Sequence, residues 1–97
     1  MRNVTREVCL AFINGKAKRS SNTYTDGAAL YLHGHLIAWR HDDAVYCTLA
    51  GWPTPTTRDR LNGLAWLLKR ERPFHQAKRV HYFRNKPVSD NAILRLV

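Results

Sequence analysis

The 97 residues predict one α+β domain, a single antiparallel sheet of four to six strands with one main helix packed on one face, in the order β-β-β-β-α-β-β. Three observations carry this. Short apolar segments alternate with Asn-Gly, Asp-Gly and His-Gly turn signals through the first half of the chain. A Pro- and Thr-rich start opens a run of leucines at helical spacing in the second half. The length allows one modest core and no second domain, so the whole of 1–97 is read as one compact basic unit.

The elements follow in order. Val8, Leu10 and Phe12 alternate with Cys9, Ala11 and Ile13, so both faces are apolar, the pattern of a strand near the middle of a sheet. Asn14-Gly15 reads as a hairpin turn. Residues 16–25 are polar and fit an exposed strand or a basic loop, and Asp26-Gly27 is a second turn signal. Ala29–Leu32, a turn around His33-Gly34-His35, and Leu36–Trp39 read as a hairpin. Arg40-His41-Asp42-Asp43 makes the next turn. Ala44–Leu49 is a strand with Val45, Cys47 and Leu49 on one face and Tyr46 and Thr48 on the other.

The stretch Ala50-Gly51-Trp52-Pro53-Thr54-Pro55-Thr56-Thr57 is a helix start. A threonine beside Pro55 can accept from the orphan amides, and Trp52 is expected to anchor the corner in a rigid pocket. The helix is expected from about Pro55 to Arg72. Leu61, Leu64, Ala65 and Leu68 would face the sheet, and Arg58, Asn62, Lys69 and Arg72 a polar stripe. Gly63 inside it costs on the order of 1 kcal/mol against Ala, which signals a close backbone approach or a break. A basic connector follows, then a strand over Val80–Phe83, a turn at Asn85-Lys86-Pro87, and a short element over Ile93–Val97.

Composition narrows the function classes. No apolar run approaches the roughly 20 residues of a membrane span, and the polar start with early lysines does not fit a secretory signal, so a cytoplasmic protein without a membrane partner is expected. Cys9 and Cys47 stand in no CxxC or CxxH motif and read as buried free thiols. His33 and His35 invite a metal, but Gly34 between them marks a turn that splays the rings, and no further ligand lies at metal spacing. No metal and no cofactor is expected. The one adjacent carboxylate pair, Asp42-Asp43, falls in an exposed turn, and the Thr54–Thr57 cluster is engaged as a cap, so no catalytic residue is assigned and no enzyme is expected.

Charge is the strongest signal. Sixteen Lys and Arg against seven Asp and Glu give +9 at pH 7. Residues 1–50 hold six basic and four acidic side chains, whereas residues 51–97 hold ten and three. Arg58, Arg60, Lys69, Arg70, Arg72, Lys78, Arg79, Arg84 and Lys86 are therefore expected to form one contiguous positive face. Trp66, Phe74, Tyr82 and Phe83 lie among them, a mixture suited to phosphate contacts and base stacking. The partner this predicts is nucleic acid, bound without catalysis.

From Asn22 to Leu64 the chain resembles a small protein family of tailed bacteriophages. Its pattern stands here as Asn22-Thr23, Asp26-Gly27, Leu30-Tyr31-Leu32-His33-Gly34, Ile37-Ala38, Gly51-Trp52-Pro53-Thr54-Pro55-Thr56-Thr57 and Arg60-Leu61-Asn62. The sequence departs from it at His35, where the family pattern has Asn, and across the basic segment from Lys69 to Lys86. The resemblance implies a phage origin and an infected bacterial cell as the setting. With them comes an alternative partner: an acidic or nucleic-acid-binding groove on a host protein, a host enzyme or a defence complex such as restriction or CRISPR machinery, which the chain would occupy as an inhibitor. The resemblance carries no activity of its own.

Overall fold

The structure, a computed structural model, describes residues 1–97 and is an α+β fold. Its elements are α1 (Asn3–Ile13), β1 (Lys18–Ser20), β2 (Thr23–Thr25), β3 (Ala29–Leu32), β4 (His35–His41), β5 (Ala44–Cys47), α2 (Pro55–Lys69), β6 (Phe74–Ala77), β7 (Val80–Phe83), β8 (Lys86–Pro87) and β9 (Leu94–Arg95). β1 to β5 form an antiparallel meander in sequence order, and β9 returns to pair with β5. β6, β7 and β8 make a second, three-stranded sheet. No helix is long and apolar enough to cross a membrane.

The first element departs from expectation: Val8–Ile13 is helical, not a strand. An unbroken apolar run does not distinguish the two periods. The deciding residue is Thr5, which with Val8, Cys9 and Phe12 completes a buried helical stripe. Asn14-Gly15 accordingly ends a helix instead of turning a hairpin. Gly15 takes φ +69°, its amide donates to Phe12 O, and Lys16 N donates to Ala11 O, the paired bonds of a Schellman stop.

The hairpin of β3 and β4 lies where the sequence places it, with a bulge that shifts the register between Leu30 and Tyr31. Both helices lie against one face of the large sheet. There Val8, Phe12, Leu30, Leu32, Val45, Cys47, Leu61 and Leu64 form one core, which Phe74 and Phe83 join from the second sheet. Burial pushes the thiols of Cys9 and Cys47 up to about 12, because the thiolate would lose its hydration.

Helix α2 begins as expected. Thr54 is its N-cap, accepting from Thr57 N at 3.2 Å, and Pro55 opens the first turn. It stops at Lys69, short of Arg72, because Arg70 turns left-handed at φ 55°. Gly63 marks a close approach: a Cβ there would clash with Thr5 Cγ2 of α1. Trp52 corrects the expectation of a buried anchor, since it is 55% exposed and its ring stacks only on His35, 5.8 Å between centroids. The corner is held by the Trp52 backbone, whose carbonyl accepts from Thr57 Oγ1 at 2.8 Å and whose amide donates to Leu49 O.

The segment read as a connector contains strand β6, paired with β7 from Phe74↔Phe83 to Ala77↔Val80. The turn placed at Asn85-Lys86-Pro87 lies one residue earlier, at Arg84-Asn85, and leaves Lys86–Pro87 as β8.

Candidate nucleic-acid interface

The nine cations singled out by sequence do not form one uniform face. Arg60 is the clear exception, 2% exposed, with all its nitrogens turned inward. Its Nε donates to Thr23 Oγ1 at 2.8 Å, its Nη1 to Thr5 Oγ1 at 2.8 Å and to Asp59 Oδ2 at 2.6 Å, and its Nη2 to Asn22 Oδ1 at 3.3 Å. It ties α1, α2 and the start of β2 together and has nothing left for a ligand. Arg58 is half-buried, donates to Pro53 O, and stands at the far end of α2 from Lys69, about 16 Å away at the helical rise.

The rest gather around the end of α2 and the second sheet. Arg70 and Arg72 lie over the Trp66 ring, at 5.5 and 4.9 Å from its centroid. Arg72 and Trp66 also border a hollow of about 230 Å³ with Met1, Asp59, Asn62 and Gly63. Arg84 is committed in part: it pairs with Glu71 at 2.9 Å and donates to Leu96 O at 2.7 Å. Lys69, Lys78, Arg79 and Lys86 are exposed and join no ion pair.

Lys78 and Arg79 are held out by their backbone. They form the two-residue tip between β6 and β7, with φ 49° and 68°. Such turns demand a left-handed pair, a position that Asn-Gly fills at least cost. Arg70 and Arg84 also have positive φ, at 55° and 51°. Beside the tip, the outer face of the small sheet carries His75 stacked on Tyr82, 4.8 Å between centroids and 5° from parallel. Phe74 and Phe83 point the other way, into the core. The pairing of the two rings is not legible in the sequence, because the polar run His75-Gln76-Ala77 gives no apolar alternation by which to recognise a strand.

Asn62 fixes the small sheet to α2. Its side chain donates to Phe74 O and accepts from Phe74 N, both at 2.9 Å, in the manner of a neighbouring strand. The motif residues are thus largely internal joinery. Asp26 accepts from the Ala28 and Ala29 amides at 2.8 and 2.9 Å, and these bonds hold its carboxyl below the usual range. His33 faces Asn22, with Nε2 and Nδ2 3.3 Å apart, while His35 lies against Trp52.

No curated protein and no solved structure matches the chain. The family model described as Kyanoviridae Gp96 protein matches residues 1–93. With nearly the whole chain covered, from α1 through the buried Arg60 network to the basic second sheet, the protein belongs to the Kyanoviridae Gp96 family of bacteriophage proteins.

Proposed function

We propose that this phage protein binds nucleic acid without catalysis, in the cytoplasm of the infected bacterium, through the cations of the second sheet and the end of α2. The observation that carries the reading is the Lys78-Arg79 tip. Two long cations occupy left-handed positions where Asn-Gly would fold more easily, they are exposed, and no carboxylate pairs with them. The adjacent His75–Tyr82 stack offers an aromatic face beside them, and the +9 net charge raises the local concentration of any polyanion.

The test is to replace Arg70 and Arg79 by alanine, singly and together, and to titrate against duplex and single-stranded DNA at two salt concentrations. Each lost phosphate contact should lower the slope of log affinity against log salt by about 0.7 to 0.9 and leave sequence preference unchanged. Wild-type protein with no measurable affinity at low salt, or recovery of one stoichiometric host protein after nuclease treatment, would refute the reading.

A further inference from the structure

The face of the six-stranded sheet opposite the helices carries aromatic rings in register. Each of β2 to β5 has one half-buried residue, and these are Tyr24, Tyr31, Trp39 and Tyr46. The pairing Arg19↔Tyr24, Tyr24↔Tyr31 and Tyr31↔Leu36 makes one row, and Trp39↔Tyr46 with Tyr46↔Arg95 makes a second. The bulge at Leu30/Tyr31 offsets the two rows. Rings within each are near parallel: Tyr24 and Tyr31 lie 6.0 Å apart at 28°, Trp39 and Tyr46 6.1 Å apart at 22°. Leu36, beside Tyr31, is 41% exposed.

Each row ends in an exposed arginine, Arg19 on one outer strand and Arg95 on the other. Arg19 lies over the Tyr24 ring at 4.7 Å. Beside that ring is a hollow of about 380 Å³ lined by Arg19, Asn22, Tyr24, Tyr31, His33 and Gly34. Its size falls in the range of small-ligand pockets, roughly 300 to 1,000 Å³. It combines flat rings, a cation and two polar groups that can meet the edge of a base.

We infer that this sheet face is a stacking platform for single-stranded nucleic acid, with bases lying on Tyr24–Tyr31 and Trp39–Tyr46 and the backbone passing Arg19 and Arg95. An apolar protein partner would gain nothing from a cation at each end of the aromatic rows, whereas a strand of bases needs both rings and phosphate contacts. Six strands span about 24 Å at the usual interstrand spacing, enough for a site of about four nucleotides or more. A duplex has its bases stacked inside and cannot use the rings. The inference rests on the nucleic-acid reading and adds to it the strandedness of the ligand and a second surface.

The experiment compares anisotropy titrations of labelled oligothymidine of about a dozen nucleotides with those of a duplex of equal length. The proteins are wild type, Tyr31→Ala, Trp39→Ala, Tyr31→Phe and the Arg70→Ala/Arg79→Ala pair, all checked for folding by circular dichroism. Tyr31→Ala and Trp39→Ala should weaken single-strand binding by about five- to 150-fold and leave duplex binding unchanged. Tyr31→Phe keeps the ring and should bind within about twofold of wild type. Fluorescence of a Trp52→Phe/Trp66→Phe protein, where Trp39 is the one emitter, should be quenched by oligothymidine and not by duplex, a readout independent of the alanine variants. If ring variants bind oligothymidine like wild type and Trp39 is not quenched, while Arg70→Ala/Arg79→Ala weakens binding, the platform is overturned and the basic-surface reading stands. If nothing binds at low salt, both fall. A wild-type dimer in light scattering that Trp39→Ala converts to monomer would assign the face to a second copy of the chain and overturn the platform.

Discussion

Replacing Arg60 by alanine tests whether the Arg60-Leu61-Asn62 segment of the family pattern is structural. Three of its four hydrogen bonds are 2.8 Å or shorter, and all come from a charged donor. At about 1.5 to 3 kcal/mol for each such bond, three give an upper limit of roughly 5 to 9 kcal/mol. Removing one partner of a buried ion pair costs about 3 to 5 kcal/mol. Asp59 keeps 38% of its side chain in solvent and can rehydrate, so the lower range applies, about 3 to 5 kcal/mol. For a domain of this size that corresponds to a fall in Tm of roughly 12 to 40 °C. Arg60→Lys keeps the charge but cannot reach Thr23, Thr5 and Asn22 at once, and should recover at most about half of the loss. Thermal denaturation followed by circular dichroism measures both. If Arg60→Ala melts within about 3 °C of wild type yet loses salt-dependent affinity for nucleic acid, the guanidinium is a ligand contact and the structural argument fails.

Other outcomes follow from the same packing. Gly63→Ala gains about 1 kcal/mol of helix propensity but drives a methyl into Thr5, and should be net destabilising by about 1 to 2 kcal/mol; Thr5→Ser, which removes Cγ2 and keeps the hydroxyl, should restore most of it in the double variant, and additive losses in the melts would refute the contact. Thr54→Ala removes the α2 cap and should cost about 1 kcal/mol in urea denaturation; an unchanged midpoint would show the cap to be idle. The buried thiols should resist a thiol-reactive disulfide at pH 8 until the chain unfolds, and rapid labelling of folded protein would contradict their burial. Because both folded-state pKa values are raised, their contribution to stability is complete below the unfolded value near 9.0 and lost as pH rises from there toward 12; stability flat over that window would be the contrary result.

The parts of the fold legible in the sequence were those with local chemistry. The β3–β4 hairpin, the Asp42-Asp43 half of the turn read over Arg40–Asp43, and the Thr54-Pro55 cap each depend on two or three adjacent residues with restricted backbone or capping preferences, whereas Arg40 and His41 belong to β4. Helix α1 was hidden because Val8–Ile13 is apolar at every position and the inward residue that reveals its period is a threonine. Strand β6 was hidden because it lies in a small sheet with one wet face. Among the site residues, Lys78 and Arg79 stand as exposed as their type suggests. Arg60 does not, since a fully buried arginine is rare and its partners come from segments 37 and 55 residues away in sequence. The aromatic rows needed the strand register, which no single segment of sequence contains.

The joints at Asn62 and Arg84 bear on how the protein would meet a ligand. Asn62 locks Phe74 to the middle of α2, and Arg84, next to Phe83 at the same end of the hairpin, bolts it to Glu71, to the carbonyl of Arg95 in β9 and to that of Leu96 just beyond. Both braces grip the base of the hairpin, so that end cannot shift against α2 and the large sheet without breaking several bonds, while neither reaches the Lys78-Arg79 tip. The base of the small sheet is therefore positioned before any partner arrives. A ligand long enough to touch both sheets meets a fixed spacing at that base, and little ordering entropy remains to be lost there on binding. Loosening either brace would change which lengths are tolerated before it changed which chemistry is bound.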